Sequence, residues 1–543
     1  MKKAPIELSR EENQSYSGLD QSDQKKIEKA IRDGWSRRDV MNLIMATGVT
    51  ATVAHDLFSD GQQAVAMTPK KGGTIRAAMN VHGPDDTQDP AQFTSGLDYT
   101  RGRVVYNNLC QLDGNLSPQP ELAEAFEPNS NATEWTFKLR KGVEWHDGSK
   151  FTADDVIHTM RRHQGEDSTS VFKSMLAPVA EWKKTGSHEV KAILSSPNSD
   201  LPAILGLFQA KIIKSGTDGD GIGTGPFTTE SFEPGVKSLH KRNENYWREP
   251  AHLDGIEMTA ITDPVARVNA VIAGDVQMGA TVDPNSFRQL EESSTAKLNS
   301  IPAGQQIGIC CLRNASPGDN DDFLRGMQYI QDRKRIVKRI LKGKGTVGND
   351  TPIAPAHGTD FCHELPQREY DPDKAKFHFE KSGIKSATIH VAPVAVGIEE
   401  IVLLAQANAA KIGMDLKIKK VPADGYWGAV WMQEPVNVVN WFMRPTANAQ
   451  MSVQFAPNGP WNDTYWNNER MGELLKLSLA ELDPTRRHEM YCEMQTLIHN
   501  GSGMVIPAFT NVNDGIANNV MGVPNVPIGP LGGCEWPEFA WLS

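Results

Sequence analysis

Three observations predict that this chain folds into two or more α/β lobes. At 543 residues it exceeds what one hydrophobic core usually spans. Trp135-Thr136-Phe137-Lys138-Leu139-Arg140 alternates apolar and polar residues at the period of two expected of a half-buried strand. Val265, Val268, Val271 and Ile272 recur at helical spacing between Asp263-Pro264, a helix opening, and Gly274, a helix stop.

Taken in order, the chain starts with a polar lead over residues 1–35. Ser36-Arg37-Arg38-Asp39-Val40-Met41 follows, and then a mildly apolar run from Val40 to Ala54, which is too short and too polar to span a bilayer. Ala64-Val65-Ala66 supplies the small-x-small pattern that signal peptidases cut. Together these read as a twin-arginine export signal over residues 1–66, removed near Ala66 and delivering the rest to the periplasm. The plainer reading is an amphipathic cytoplasmic helix that carries two arginines. No cysteine follows the apolar run, so no lipid anchor is expected.

Beyond Ala66, Gly72 and Gly73 turn the chain into a first strand, Thr74-Ile75-Arg76-Ala77-Ala78. Gly142 and Asp147-Gly148 supply turns after the 135–140 strand. Thr152 caps a helix whose first turn holds Asp154 and Asp155 and whose apolar face begins with Val156, Ile157 and Met160. Asp321 and Asp322 open a longer helical pattern, from Phe323 through Met327 and Ile336 to Leu341, stopped by Gly343. Its basic run, Arg333-Lys334-Arg335 and Lys338-Arg339, reads as a solvated face. The prolines of Val523 to Pro530 suit an irregular surface crossing.

Composition narrows the function. A formal net charge of −11 disfavours binding to a phosphate backbone, which needs clustered cations. Six cysteines (Cys110, Cys310, Cys311, Cys362, Cys492, Cys534) lie in the part bound for an oxidising compartment, and sequence fixes no pairing among them. No C-x-x-C or close Cys/His set suggests a metal, and His146, His240, His357 and His363 read as surface or loop residues. Gly219 to Gly225 alternates glycines like a phosphate loop, but Pro226-Phe227-Thr228 continues it as a strand and no Lys-Ser/Thr pair follows. It therefore reads as a flexible turn at a lobe boundary.

The segment Trp135 to Val156 (WTFKLRKGVEWHDGSKFTADDV) resembles the signature of peptide-type solute-binding proteins. Further landmarks of that family stand in order: GGTIRAA at 72–78, PELAEAFEP at 120–128, GTGPF at 223–227, KRNENYW at 241–247, YDPDKAKFHFEKSG at 370–383 and AAKIGMDLKI at 409–418. The resemblance is to the dipeptide, oligopeptide, nickel and opine class, family 5 of the periplasmic solute-binding proteins. It implies a bilobed α/β fold with a hinge crossed twice. Lobe 1 would comprise residues 67–310 and 508–543, with a subdomain at about 116–221, and lobe 2 residues 311–507. It also implies a monomer that delivers a small molecule to the permease of an ABC importer, with no cofactor and no catalysis.

Within that frame the resemblance places one wall of the cleft at Phe93 to Tyr99, with Thr94, Ser95, Gly96 and Tyr99 as candidate contacts. The same residues also read as a capped helix start. It places the specificity wall at Asp424-Gly425-Tyr426-Trp427 and at Trp441-Phe442-Met443-Arg444-Pro445-Thr446. Peptide binders of the family carry an Asp three positions after the matching Trp, to hold an ammonium group; here Arg444 stands there. Pro393-Val394-Ala395-Val396 likewise replaces the segment in which dipeptide binders carry an Arg. A guanidinium offers a bidentate fork to carboxylate or phosphate. The expectation is that Arg444 grips an acidic group while Trp441, Trp427 and Tyr426 stack on the ligand body and Thr446 adds a hydroxyl. Opine-like compounds, modified peptides and anionic sugar conjugates fit. The competing reading pairs Arg444 with an internal carboxylate and puts the tryptophans in the core.

Two other functions were weighed. A secreted enzyme finds no support in a G-x-S-x-G elbow or an H-E-x-x-H motif. A nickel-complex or haem carrier of the same fold meets only scattered histidines.

Overall fold

The computed structural model describes residues 69–80, 83–422 and 426–543. The export signal with its arginine pair and Ala66 lies outside them, as do Asp424 and Gly425.

The first strand is β1 (Thr74–Met79), and it is followed by helix α1 (Gly96–Val105). A four-stranded antiparallel sheet comes next, built from β2 (Ala123–Pro128), β3 (Glu134–Leu139), β4 (Val179–Gly186) and β5 (Glu189–Leu194) in the order β2-β3-β5-β4. The alternation read from sequence is the register of β3: Trp135, Phe137 and Leu139 point into a core, and Lys138 points to solvent. Helix α2 (Ala153–Gln164) packs on β4 and β5, and Thr152 and Asp155 cap it reciprocally as a capping box.

The larger sheet has eleven strands among the described residues. Its members are β1, β6 (Phe227–Glu233), β7 (Lys237–Arg242), β8 (Gly255–Ala260), β9 (Met278–Gly279), β10 (Ala296–Cys311), β11 (Gly345–Val347), β12 (Ser386–Val391), β13 (Asp415–Lys420), β14 (Val436–Trp441) and β15 (Met504–Ala517). Their order is β13-β12-β14-β10-β15-β9-β1-β8-β7-β6, with β11 on β15. Two strands are far longer than the rest. The first half of β10, Ala296 to Ile301, pairs with Val512 to Ala517 of β15, and β15 in turn pairs with β9. From Gln305 onward β10 pairs with β14 and with Met504 to Thr510 of β15. The register shifts between Ile301 and Gln305, so β10 and β15 carry the chain from one set of cores to another.

Those cores are distinct. One lies around Val268, Val271, Phe287 and Leu290, beside α3 (Pro264–Ala273). Another fills the β2–β5 body. Two more lie on the far side of the register shift, packed by α4 (Asp321–Tyr329), α5 (Pro372–Ser382), α6 (Ile398–Lys411), α7 (Ala447–Phe455), α8 (Glu469–Ala480) and α9 (Pro484–Gly501). The architecture is mixed α/β, with separate cores joined by two long strands, in line with the two-lobed expectation.

Several local expectations are corrected. The pattern from Asp321 to Leu341 is not one helix: α4 ends at Tyr329 and the chain restarts under a new cap, in which Asp332 accepts from the Arg335 amide. Arg333 is not on a solvated face. It is buried and pairs with Asp350 at 2.7 Å, and Arg368 reaches the same carboxylate at 2.5 Å. Burial alone would raise the Asp350 carboxyl, but the two guanidinium groups outweigh it and hold it below the usual range. Of the four histidines read as surface residues, only His363 is exposed. His240 and His357 are buried, and His146 is partly buried with both ring nitrogens bonded to backbone, to Gly225 O and Gly223 N–H. Burial pulls His240 down to about 3 and His357 to about 4. The Gly219–Gly225 stretch is packed rather than flexible. A Cβ on Gly225 would lie 2.5 Å from the Val105 carbonyl, so glycine is needed for backbone to meet backbone. β6 follows it, as the strand reading requires.

One disulfide forms, Cys362–Cys492, across 130 residues, and the other four cysteines are buried and free.

Candidate functional site

A cavity of about 400 Å³ lies where the long strands cross between cores. Gln305 of β10 and Thr510, Asn511 and Asn513 of β15 form its floor. Asn80, Thr281, Gly529 and Pro530 come from one side; Lys344, Val396 and Phe442 come from the other. The side-chain carbonyl oxygen of Asn511 is buried and has no hydrogen-bond partner among the described residues. Asn511 and Asn513 share a face of β15 because strand alternation sends every second residue to the same side.

The start of α1 sits beside this cavity. Ser95 is its N-cap: its hydroxyl accepts the Asp98 amide at 3.2 Å and donates to the Asp98 carboxylate at 2.9 Å. Gly96 is pressed against Pro530, where a Cβ would lie 3.2 Å from Cγ. Thr94 is exposed. The Tyr99 ring stacks on Phe208 with centroids 4.6 Å apart, and its hydroxyl accepts from Gln209 at 3.2 Å. Phe208 in turn underlies Gly529, which lines the cavity.

The opposite wall descends from β14. Trp441 is buried; its indole N–H donates to Asp463 at 2.6 Å, and Trp431 donates to the other oxygen at 2.8 Å. Phe442, on the alternate face, is 66% exposed and lines the cavity. The Met443 sulfur accepts the Gly304 amide at the register shift. Arg444 follows. Its backbone N–H donates to Gln450 at 2.7 Å, and among the described residues no carboxylate lies within ion-pair distance of its guanidinium. Burial lowers its pKa, with only Tyr99 opposing. The internal-carboxylate reading of Arg444 thus finds no partner among the described residues. Thr446 caps α7 by accepting the Ala449 amide, and its hydroxyl proton goes to Asp200 at 2.5 Å.

The tryptophan motif splits between two roles. Tyr426 is held in the core instead of on a wall: its hydroxyl donates to the Val438 carbonyl at 2.7 Å and accepts from the same residue's amide. Trp427 is about half exposed and meets Trp431 edge to face. Residues that sequence reasoning did not single out include Asn80, Gln305, Lys344 and Asn511, which carry no local motif and meet only through the fold. Asp463 sits in Trp461–Trp466, whose mix of aromatics and polar groups reads equally as a packed loop and gives no local sign of a buried carboxylate.

Along most of its length the chain is similar to known solute-binding proteins. Residues 117–463 match the model of the bacterial extracellular solute-binding proteins, family 5. The dipeptide-binding protein of Escherichia coli (strain K12) is 24% identical over 526 residues, covering 86% of this chain and 96% of that protein. Heme-binding protein A of Haemophilus influenzae is 22% identical over 519 residues, covering 84% and 91%. Among solved structures, HbpA2 from Haemophilus parasuis superposes with a TM-score of 0.78 at 20% identity, covering 87% of this chain and all of that one.

Proposed function

The chain belongs to family 5 of the bacterial extracellular solute-binding proteins, and from that premise we propose that it captures a small acidic organic ligand and delivers it to the permease of an ABC importer. The observation that carries the ligand class is Arg444, a largely desolvated guanidinium without a carboxylate partner among the described residues, set against Tyr99 beside the cavity. A half-buried guanidinium without a countercharge favours an anionic partner, and the fork geometry of arginine suits a carboxylate or phosphate. Amides on the cavity floor would take hydroxyl or amide groups of the ligand, and the exposed faces of Phe442 and Trp427 its apolar body. An ordinary dipeptide has an ammonium group as well as a carboxylate, and no acidic side chain lines the cavity among the described residues. Opine-like compounds, modified peptides and anionic sugar conjugates remain the best match.

In this reading Thr94, Ser95, Gly96 and Tyr99 contact ligand from lobe 1, and Trp427, Arg444 and Thr446 from lobe 2, with Tyr426 and Trp441 supporting the second wall. The lobes are 67–310 with 508–543, and 311–507; the register shift at Ile301–Gln305 supports a crossing a few residues before the first of those boundaries. The protein acts as a periplasmic monomer after loss of residues 1–66, and it binds without turnover.

Native mass spectrometry of protein purified from its own host identifies a retained ligand. Its affinity is expected to fall about ten- to a hundredfold in Arg444→Ala, the value of a charge-assisted hydrogen-bond pair. Unchanged affinity would remove Arg444 from the site.

A further inference from the structure

Outside the two long strands, the bodies on either side of the register shift also meet at a cluster bonded within the protein itself. Asn198, Ser199 and Asp200 belong to the β2–β5 body. The Asn198 amide donates to Ala132 O at 2.9 Å, the Trp135 indole donates to Asn198 O at 2.9 Å, and Leu201 and Ile204 are buried in that core. This segment reaches across to the other body. The Ser199 amide donates to Leu479 O, in α8, at 2.8 Å. The Asp200 carboxylate accepts the Thr446 hydroxyl at the start of α7 and lies 3.6 Å from Arg487 of α9.

A second carboxylate, Asp360, joins the same helix start and accepts the Ala447 amide at 3.2 Å. The charged and titratable groups facing this pair are Arg487, His488 and Tyr491 of α9, with Glu481 acting on Arg487. One guanidinium therefore pairs with a buried carboxylate, Asp200, and acts through space on a partly buried one, Asp360. Burial raises Asp200 above its ordinary value against the pull of Arg487 and Thr446. Burial lifts Asp360 to about 6, and the charge of Asp200 adds to it.

We propose that this contact is an acid-strengthened joint between the two lobes, firm when one of the two carboxyls carries a proton and looser when both are ionised. The proposal rests on the lobe boundaries given above but not on any ligand. When the joint parts, the charge of Asp200 and the cover of its body leave Asp360, whose carboxyl returns to the ordinary range, so the joined state takes up a proton there. Its stability is fully present below about pH 4 and is lost as pH rises through about 6.

Hydrogen–deuterium exchange of the ligand-free protein tests it, because the Ser199 amide is itself a bond across the joint. After correction for intrinsic exchange, Ser199 should be protected about fourfold more strongly at pH 5.5 than at pH 7.5, the ratio for a carboxyl near 6 when joined and near 4 when parted. Amides of β3 serve as the internal reference and should not share that change. Asp200→Asn keeps an acceptor for Thr446 but removes the charge that adds to the burial of Asp360, and should weaken the response; Asp360→Asn removes the titrating carboxyl, should abolish the response, and stands in if Asp200→Asn does not fold. Ser199 protection that tracks β3, or a fourfold response that survives in either variant, would overturn the proposal. Loss of ligand binding in Arg444→Ala is an independent result.

Discussion

The indole N–H of Trp441 donates to the carboxylate of Asp463 at 2.6 Å in a place where Asp463 is fully buried and, among the described residues, only a second indole, that of Trp431, also donates to it. Two neutral donors replace water but supply no countercharge, so burial pushes the Asp463 carboxyl up to about 7 despite both hydrogen bonds. The carboxylate thereby fixes the ring on which the β14 wall is built, at an electrostatic cost.

That cost has a sign. An acid whose folded pKa is raised stabilises the fold fully below its unfolded value, near 4, and loses that contribution as pH climbs through about 7. Denaturant unfolding should show stability falling across this window, and Asp463→Asn should flatten the slope. Because an amide cannot accept from both indoles in the same way, the variant should also lose about 1–3 kcal/mol at low pH. An unaltered slope in Asp463→Asn would refute the assignment.

Asp350 should be far less tolerant. Replacing it with Ala leaves Arg333 and Arg368 buried without their shared carboxylate, and an uncompensated buried charge costs about 3–5 kcal/mol. Chemical denaturation reads this directly. A loss below 1 kcal/mol would mean that both arginines find water.

Gly225→Ala places a methyl 2.5 Å from the Val105 carbonyl carbon and 2.8 Å from the Tyr106 amide. Both neighbours are backbone and cannot rotate away, so expression as a folded protein should drop sharply. Gly142→Ala provides a contrast: its Cβ meets open space but its φ of +80° is unfavourable to alanine, and a cost of only about 1–2 kcal/mol is expected.

Removing the Cys362–Cys492 bridge in a double Ala variant should cost about 2–5 kcal/mol, since it closes a 130-residue segment of the unfolded chain. Thermal unfolding with and without reductant should reproduce the difference in the parent and show none in the variant.

Much of this fold is legible in sequence wherever the signal is local. Thr152 with Asp155, Asp263 with Gly274, and the alternation of β3 each act within a few residues, and each stands where the pattern puts it. Where a local pattern was outvoted, a distant partner decided. Arg333 reads as solvated among its basic neighbours and is drawn inside by Asp350, seventeen residues on; His240 and His357 are buried by strands and loops that sequence does not place beside them.

The candidate site divides in the same way. The presence of arginine where an acid is expected, and of tryptophans around it, is written in residues 426–446. That Tyr426 and Trp441 face inward while Phe442 and Trp427 remain open follows from the alternation of β14 and from the partners Val438 and Asp463.

Short-range chemistry in the sequence, its helix caps and strand period, was enough for the α/β class, and the ordered motifs carried the resemblance to solute-binding proteins. Tertiary structure alone decided the pairing of Cys362 with Cys492, the amide floor drawn from Gln305 and Asn511, and the meeting of Asp200 with Thr446. Those contacts join residues up to some two hundred and fifty positions apart, and the free energy that selects them comes from burial and charge pairing in the packed interior, which no local window of sequence contains.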